Sequence, residues 1–199
     1  ANGGVVYDGE NYTESLSAPA TLTIEELSAI VLDGYVAKVT LEGQTITIIY
    51  NKVYTVTIIG GEGEGRLIFN ETEYANDETF NALQSSFTAE AFTIKDVEGY
   101  NKSEVTVNHE TGIISVTYTL DKTALEELID ETNALMFSCK DFVNSSYVTE
   151  VLLTSTSNAI TAAIEANSKE NLTYAEYTET LTALQTANTT LTQAKISAE

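Results

Sequence analysis

Every one of the eleven glycines, from Gly3 to Gly112, and the single proline, Pro19, lie before residue 120, while residues 121–199 contain neither. Glycine and proline are the residues that interrupt regular structure, so their segregation divides the chain into a turn-rich part and a part free of helix breakers. The first part is dense in Val, Ile, Thr and Tyr with period-2 alternation, the pattern of strands half-buried on a sheet. The second is frequent in alanine, the strongest helix former. A boundary is expected near Leu120-Asp121.

The first part also repeats itself, which supplies an internal control. Val5-Val6-Tyr7-Asp8-Gly9-Glu10-Asn11-Tyr12 matches Leu67-Ile68-Phe69-Asn70-Glu71-Thr72-Glu73-Tyr74 at an offset of 62. Leu22-Thr23-Ile24-Glu25-Glu26-Leu27 through Gly34-Tyr35 matches Phe87-Thr88-Ala89-Glu90-Ala91-Phe92 through Gly99-Tyr100 at 65. Thr45-Ile46-Thr47-Ile48-Ile49-Tyr50 matches Ile113-Ile114-Ser115-Val116-Thr117-Tyr118 at 68. The growing offset places short insertions in loops, where added length costs little.

An alternating stretch, Val53-Tyr54-Thr55-Val56-Thr57-Ile58-Ile59, opens the second copy and has no counterpart in the first. The first copy is thus expected to lack its opening strand and the polypeptide to continue upstream of Ala1. Each copy reads as that opening strand, a second strand (Arg66 to Tyr74 in the second copy), a helical turn, a strand leading to the Gly-Tyr corner, and a closing pair joined through Asn108 to Gly112. Thr23 and Glu26 have the spacing of a capping box for the turn.

Beyond residue 120 the apolar residues recur at helical spacing. Leu125, Leu128, Ile129, Thr132, Leu135, Met136 and Cys139 form one stripe, with Thr123 and Glu126 spaced as a capping box. A second helix is expected from Tyr147 to Ala166, with Leu152, Leu153, Ala159, Ile160, Ala163 and Ile164 inward. A third runs from Tyr174 to about Lys195, with Thr173 and Glu176 as its capping box and Tyr177, Leu181, Leu184, Leu191 and Ala194 inward. Short connections favour antiparallel neighbours. The fold class expected is therefore multidomain α and β: two tandem, mostly antiparallel β-modules, residues 1–51 and 52–119, followed by an antiparallel three-helix bundle over residues 120–199.

Charge narrows the partners. Nine Lys and Arg against thirty Asp and Glu leave a formal charge of −21. A chain this acidic has no basic face with which to release phosphate counterions, so no nucleic-acid partner is expected. No run approaches the ~20 apolar residues of a membrane span, and no membrane insertion is expected. The one methionine is Met136 and the sequence opens on Ala1-Asn2, which suggests that a leading segment has been removed.

Few residues suggest chemistry. Gly60-Gly61-Glu62-Gly63-Glu64-Gly65 is the only glycine-rich loop, but it lacks both the dinucleotide fingerprint and the P-loop lysine; it reads as a flexible hairpin loop, with weak Ca2+ binding by Glu62 and Glu64 as the alternative. His109, the lone histidine, sits in a turn with no second imidazole or cysteine beside it, so no metal site is expected and an exposed turn histidine is the reading. Cys139 cannot form an internal disulfide and reads as a buried thiol. Acidic pairs are plentiful, yet modules of this size seldom enclose the cleft a glycosidase needs. No catalytic residue and no cofactor is assigned. Tyr12 and Tyr74, Tyr35 and Tyr100, and Tyr50 and Tyr118 occupy equivalent places, and duplicated aromatics most simply serve the shared fold. The unduplicated Tyr54 and Phe80 remain as candidate ligand-stacking residues. Asn-x-Ser/Thr sequences start at Asn11, Asn70, Asn101, Asn144, Asn171 and Asn188 and read as polar loop and cap positions.

The segment Leu120-Asp121-Lys122-Thr123-Ala124-Leu125-Glu126-Glu127-Leu128-Ile129-Asp130-Glu131-Thr132-Asn133-Ala134-Leu135 resembles the opening of FIVAR modules, and Thr173 to Thr192 is similar to their closing helix. The resemblance covers about residues 120–198. It implies a three-helix accessory module of a secreted or surface-attached bacterial protein, with a host matrix protein or a glycan as partner. The repeated β-segments, with Gly-Tyr followed by Val-x-Val and Ile-x-Val-x-Tyr, resemble small modules strung along bacterial envelope proteins. The function expected is a non-catalytic stalk, adhesion or spacer segment at the bacterial surface or outside the cell, with further domains of the same polypeptide upstream. The alternative is a carbohydrate-binding accessory region of a secreted glycoside hydrolase.

Overall fold

The computed structural model describes residues 3–83, 86–143 and 145–199. The chain has mixed α and β content and divides into two compact units, residues 1–97 with 102–118 and residues 98–101 with 119–199. Ala1, Asn2 and the Asn144 sequon lie outside the described residues.

The first unit begins with β1 (Val5–Tyr7), β2 (Glu10–Tyr12), β3 (Leu27–Ala29), β4 (Tyr35–Glu42) and β5 (Thr45–Ile59). It continues with β6 (Leu67–Phe69), β7 (Thr72–Tyr74), β8 (Thr79–Ala82) and β9 (Phe92–Ile94). β11 (Thr106–Asn108) and β12 (Ile113–Leu120) follow, and β10 (Tyr100–Lys102) begins within the short segment 98–101 that belongs to the second unit. Two small antiparallel sheets share one design. Their orders are β2-β1-β3 and β7-β6-β9. Val5 faces Tyr12 and Tyr7 faces Leu27 in one; Leu67 faces Tyr74 and Phe69 faces Phe92 in the other. These pairs stand at the offsets of the sequence repeat.

The span from Arg66 to Tyr74, expected as one strand, is a hairpin. Asn70 and Glu71 take φ of 47° and 64°, and Asp8 and Gly9 take 49° and 80°, both residues left-handed as in a type I′ turn. In the larger sheet, β4 and β5 pair antiparallel from Tyr35–Lys52 to Glu42–Thr45. β12 lies parallel to β5 from Ile113–Thr55 to Thr117–Ile59, while β11 adds to β12 and β8 to β5. The strand expected to close the first copy and the one expected to open the second are thus a single strand, and the boundary expected between residues 51 and 52 falls inside β5. Tyr50-Asn51-Lys52-Val53 contains neither glycine nor proline, so the backbone has no cause to turn there, although Lys52 interrupts the apolar parity between Tyr50 and Tyr54 and donates its ammonium to the Glu110 carbonyl.

Residues 61–63 make a short 3-10 turn, and β6 does not pair with β5, so the glycine-rich segment is a crossover between sheets and not a hairpin loop. Its glycines fit around Tyr118. Gly60 has a φ of 79°, and a Cβ there would stand 2.2 Å from the Tyr118 carbonyl oxygen. A Cβ on Gly65 would approach the Tyr118 ring to 2.6 Å.

The second unit contains α1 (Thr123–Ser138), α2 (Glu150–Asn167) and α3 (Tyr174–Ala198). Leu125, Ile129, Ile160, Ala163, Tyr177 and Leu184 share one buried core, and Cys139, Val148 and Leu191 form a second. Cys139 follows the last turn of α1 and is fully buried; desolvation raises its thiol pKa. Along α2 the inward line is Thr156, Ile160, Ala163 and Ala166, whereas Ile164, expected inward, is half-exposed. Helix starts also differ from their expected form at one place. Thr173 and Glu176 make the capping box, with the Thr173 N–H donating to Oε2 of Glu176 at 3.1 Å. Thr123 and Glu126 do not: the Thr123 N–H donates to Asp121 Oδ1 at 3.0 Å, and Glu126 accepts from Asn167 Nδ2. Asp121, two residues earlier, reaches the free amide first.

Two outcomes follow from the helical core. Leu184→Ala, at a fully buried position, should lower unfolding free energy by about 2–5 kcal/mol, read from urea unfolding followed by helical circular dichroism. The Glu176 carboxyl is held below its ordinary value, first by the Thr173 backbone N–H and then by Lys169. A depressed folded pKa contributes stability above the unfolded pKa, near 4.5, and loses it as pH falls through the lower folded value. The stability advantage over Glu176→Gln should therefore be full at neutral pH and vanish on acidification below 4.5; a pH-independent difference in unfolding midpoint would contradict this.

Candidate functional site

Two features of the first unit concentrate side chains that could act on a ligand: an aromatic cluster in the second sequence copy and a groove in the first.

The aromatic cluster gathers Tyr54, Phe69, Phe80, Phe87 and Phe92 from four strands and one loop. Ring centroids lie 4.8 Å apart for Phe69 and Phe92, 5.0 Å for Tyr54 and Phe87, and 5.6 Å for Tyr54 and Phe80. These are the offset and edge contacts that aromatic quadrupoles favour. Tyr54 comes from β5 and Phe80 from β8, directly opposite each other across the ladder. The candidate stacking residues are therefore neighbours, but Tyr54 is fully buried and presents no face to a ligand, and Phe80 is half-buried within the same stack. The absence of a counterpart in the first copy does not leave these rings free, because Phe87 lies against both of them and Phe92 against Phe80.

His109 is half-buried instead of exposed. Its Nδ1 shares a 2.8 Å hydrogen bond with the Tyr54 hydroxyl, and its ring stands 5.2 Å from that of Phe87. Burial, and then the nearby Tyr35, push the Tyr54 phenol pKa up, so the hydroxyl stays protonated and serves as a neutral hydrogen-bonding group. This gives the aromatic core one satisfied polar contact. Among the described residues, no group of three His, Cys, Asp or Glu gathers in a metal-binding arrangement, and no helix is long and apolar enough to cross a membrane.

The duplicated tyrosines hold backbone together. Tyr50 Oη donates to the Ile30 carbonyl at 2.8 Å and accepts the Gly4 N–H at 3.1 Å. Tyr118 Oη donates to the Lys95 carbonyl at 2.6 Å and lies 3.4 Å from the Arg66 N–H. Gly4 and Arg66, Ile30 and Lys95, and Tyr50 and Tyr118 differ by 62, 65 and 68, the three offsets of the repeat. Each hydroxyl ties the closing strand of its copy to the first and third strands of the small sheet. Gly3 and Gly65 are equivalent too: a Cβ on Gly3 would come within 2.4 Å of the Tyr50 ring. Tyr35 meets Lys52, whose Nζ sits 5.3 Å from the ring centroid. In the second unit, the ring of Tyr100 stands 6.3 Å from that of Tyr174.

The groove has a volume of about 380 Å3 and is bounded by Val5, Tyr12, Thr13, Leu16, Ile46 and Ile48. Its polar lining comes from Glu14, Ser15, Gln44 and Thr45. Sequence reasoning missed it, although the absent counterpart of Val53–Ile59 was the signal that could have located it. No family model, no curated protein and no solved structure matches the chain.

Removing one phenol oxygen tests the clamps. Tyr118→Phe leaves the ring in place but leaves the Lys95 carbonyl unpaired, at a cost of about 1–3 kcal/mol. Tyr50→Phe, at a less buried ring, should cost less in the same urea titration. Equal and negligible costs would remove the clamps from the account.

Proposed function

We propose that the chain is a non-catalytic stalk, adhesion or spacer segment of a larger secreted or cell-surface bacterial protein. In this reading two tandem β-modules, expected over residues 1–51 and 52–119 and joined through the shared strand β5, precede an antiparallel three-helix bundle over 120–199. The observation that carries it is the parallel pairing of β5 with β12. The polypeptide enters the second module along β5 and leaves it along β12, side by side over five residue pairs. Tension along the chain then draws the two strands in opposite directions along their axes. Every ladder hydrogen bond is loaded at once, whereas an antiparallel hairpin pulled from its open end loses its bonds one at a time.

Three further observations support the reading. β5 runs from one copy into the other without a linker, so a pull on one copy reaches the next through paired backbone. The duplicated Tyr50 and Tyr118 hydroxyls are engaged by backbone, which leaves those positions to the fold and not to a ligand. The charge of −21 opposes self-association of neighbouring stalks. The resemblance of residues 120–135 to FIVAR modules supports the bacterial, extracytoplasmic setting, and a host matrix protein or glycan would be met by other parts of the parent protein.

Single-molecule stretching tests this. Pulled from its ends, the chain should show an unfolding event at markedly higher force than when pulled between Glu104→Cys and Thr119→Cys, in a Cys139→Ser background, which peels β11 from β12. Equal forces in the two geometries would overturn the load-bearing reading. Selective binding of an oligosaccharide by the whole chain on a glycan array would favour a carbohydrate-binding accessory role instead.

A further inference from the structure

The two sequence copies share strand order, register and tyrosine clamp, but one position is filled in the second and open in the first. In the second copy, the Val53–Ile59 half of β5 lies between β12 and the segment 75–78. Its Thr55 N–H donates to the Gly112 carbonyl at 2.8 Å. On the opposite edge, the Val56 N–H donates to the Glu78 carbonyl at 2.9 Å and the Val56 carbonyl accepts from Asp77 at 2.8 Å. The Ile58 N–H donates to Asn76 Oδ1 at 2.7 Å. Inward, Tyr54 and Val56 are fully buried against Leu67 and Ile114.

At the repeat offsets, Gly112 corresponds to Gln44, Asn76 to Glu14, Asp77 to Ser15 and Glu78 to Leu16. All four first-copy residues line the 380 Å3 groove. The apolar walls correspond as well: Val5 to Leu67, Ile46 to Ile114 and Ile48 to Val116. Ile114 and Val116 are buried to 0% and 1%, whereas Ile46 and Ile48 are only half-buried. Among the described residues, Thr45–Ile49 pairs with β4 on one edge and with no strand on the other. The residues from Thr13 to Thr21, which in the second copy lead into β8, form no strand.

We propose that this groove is a strand-acceptor site. It takes an extended segment of the Val53–Ile59 kind, uncharged and β-branched at every position but one tyrosine, supplied by a further repeat of the same type. The segment enters ahead of Gly3 as Val53–Ile59 enters ahead of Leu67, and pairs in parallel with Thr45–Ile49. Its inward side chains fill the space between Val5, Ile46 and Ile48, and its edges meet Gln44 on one side and Ser15 and Leu16 on the other. Such main-chain pairing gives affinity, while pockets for alternate side chains give selectivity. A second copy of this chain cannot supply its own Val53–Ile59, because both edges of that segment are occupied. The inference goes beyond the spacer reading and stands on the repeat geometry alone.

The test extends the full chain at its amino end by the sequence of residues 51–62, which places that segment at the repeat offset, and compares it with the same twelve residues scrambled. The expected result is slowed amide exchange at Thr45–Ile49 and a higher thermal midpoint for the first extension only. In a second measurement, a peptide of residues 51–60 with lysine flanks is added to the unextended chain. A spin label at the peptide's carboxyl end should broaden the amide signals of Ile49 and Tyr50 more strongly than that of Thr45, about 13 Å farther along the strand. An Ile46→Lys chain, charged on the groove wall, should lose both responses while keeping the circular dichroism of the helices. Equal exchange for native and scrambled extensions, label broadening at Thr45 instead of Ile49, or a dimer in which Thr45–Ile49 is already protected would each overturn the proposal.

Discussion

The β-rich unit depends on one strand. β5 is fifteen residues long and keeps one apolar parity on both sides of Lys52: Ile46, Ile48 and Tyr50 in its first half, Tyr54, Val56 and Ile58 in its second. Its halves have different neighbours, β4 on one and β12 with β8 on the other. One covalent element therefore closes one sheet system and opens the next. A kink near Asn51 would shift one half by a residue relative to the other and turn its apolar set to solvent, which is the usual penalty of a register slip. Strand pairing that continues without a register break from Thr45 to Ile59 is what holds both halves in phase across Lys52.

The tyrosine clamps explain how such short strands hold. Three-residue strands such as β1 and β6 form few ladder bonds and would be marginal alone. A phenol that reaches across from the closing strand pairs backbone groups on two further strands at once, and buried carbonyls left without such a donor carry a desolvation cost. The glycines below each ring, Gly3 and Gly65, are the steric complement of that reach. What the copies do not share is filling. Phe69, Phe87 and Phe92 in the second copy stand where the first has Tyr7, Leu22 and Leu27, and only the second has Val53–Ile59 beside them. The clamp is the conserved device within the chain, and core volume is the part that varies.

Much of this was legible in the residues because duplication checks itself. The offsets of 62, 65 and 68 recur in the clamp partners, and the capping-box spacing at Thr173 and Glu176 is realised. Other elements were hidden for identifiable reasons. The Asp8-Gly9 turn carries a strong hairpin signal, but Asn70-Glu71 does not, and a positive φ at Glu71 is set by the hairpin around it. The continuity of β5 is a statement about tertiary neighbours, since alternation alone does not say where one pairing ends and another begins. His109 looked solvent-facing because its partner, Tyr54, lies 55 residues away. Of the neighbouring Ala163 and Ile164, both expected inward, only Ala163 is buried, because adjacent helical positions stand about 100° apart and one narrow seam cannot take both.

The helical unit uses a different economy of packing. Along α3 the buried residues are Tyr177, Leu184 and Leu191, seven apart, and threonine is the commonest residue on the rest of the helix. A seven-residue spacing keeps a narrow seam toward neighbouring helices. Thr178, Thr180, Thr182, Thr186 and Thr190 return their hydroxyls to carbonyls three or four residues earlier, so the helix satisfies its own polar surface. A seam this narrow specifies rotation poorly, since a shift along it exchanges one leucine for another. Asn188 resolves that ambiguity. Its Nδ2 donates at 2.9 Å to the hydroxyl of the fully buried Thr132 on α1, which itself donates to the Leu128 carbonyl. A shifted register of α3 on α1 would part Asn188 from Thr132 and leave the buried hydroxyl with the Leu128 carbonyl as partner but without its donor, so this polar contact favours the observed alignment in a way that leucine packing alone does not.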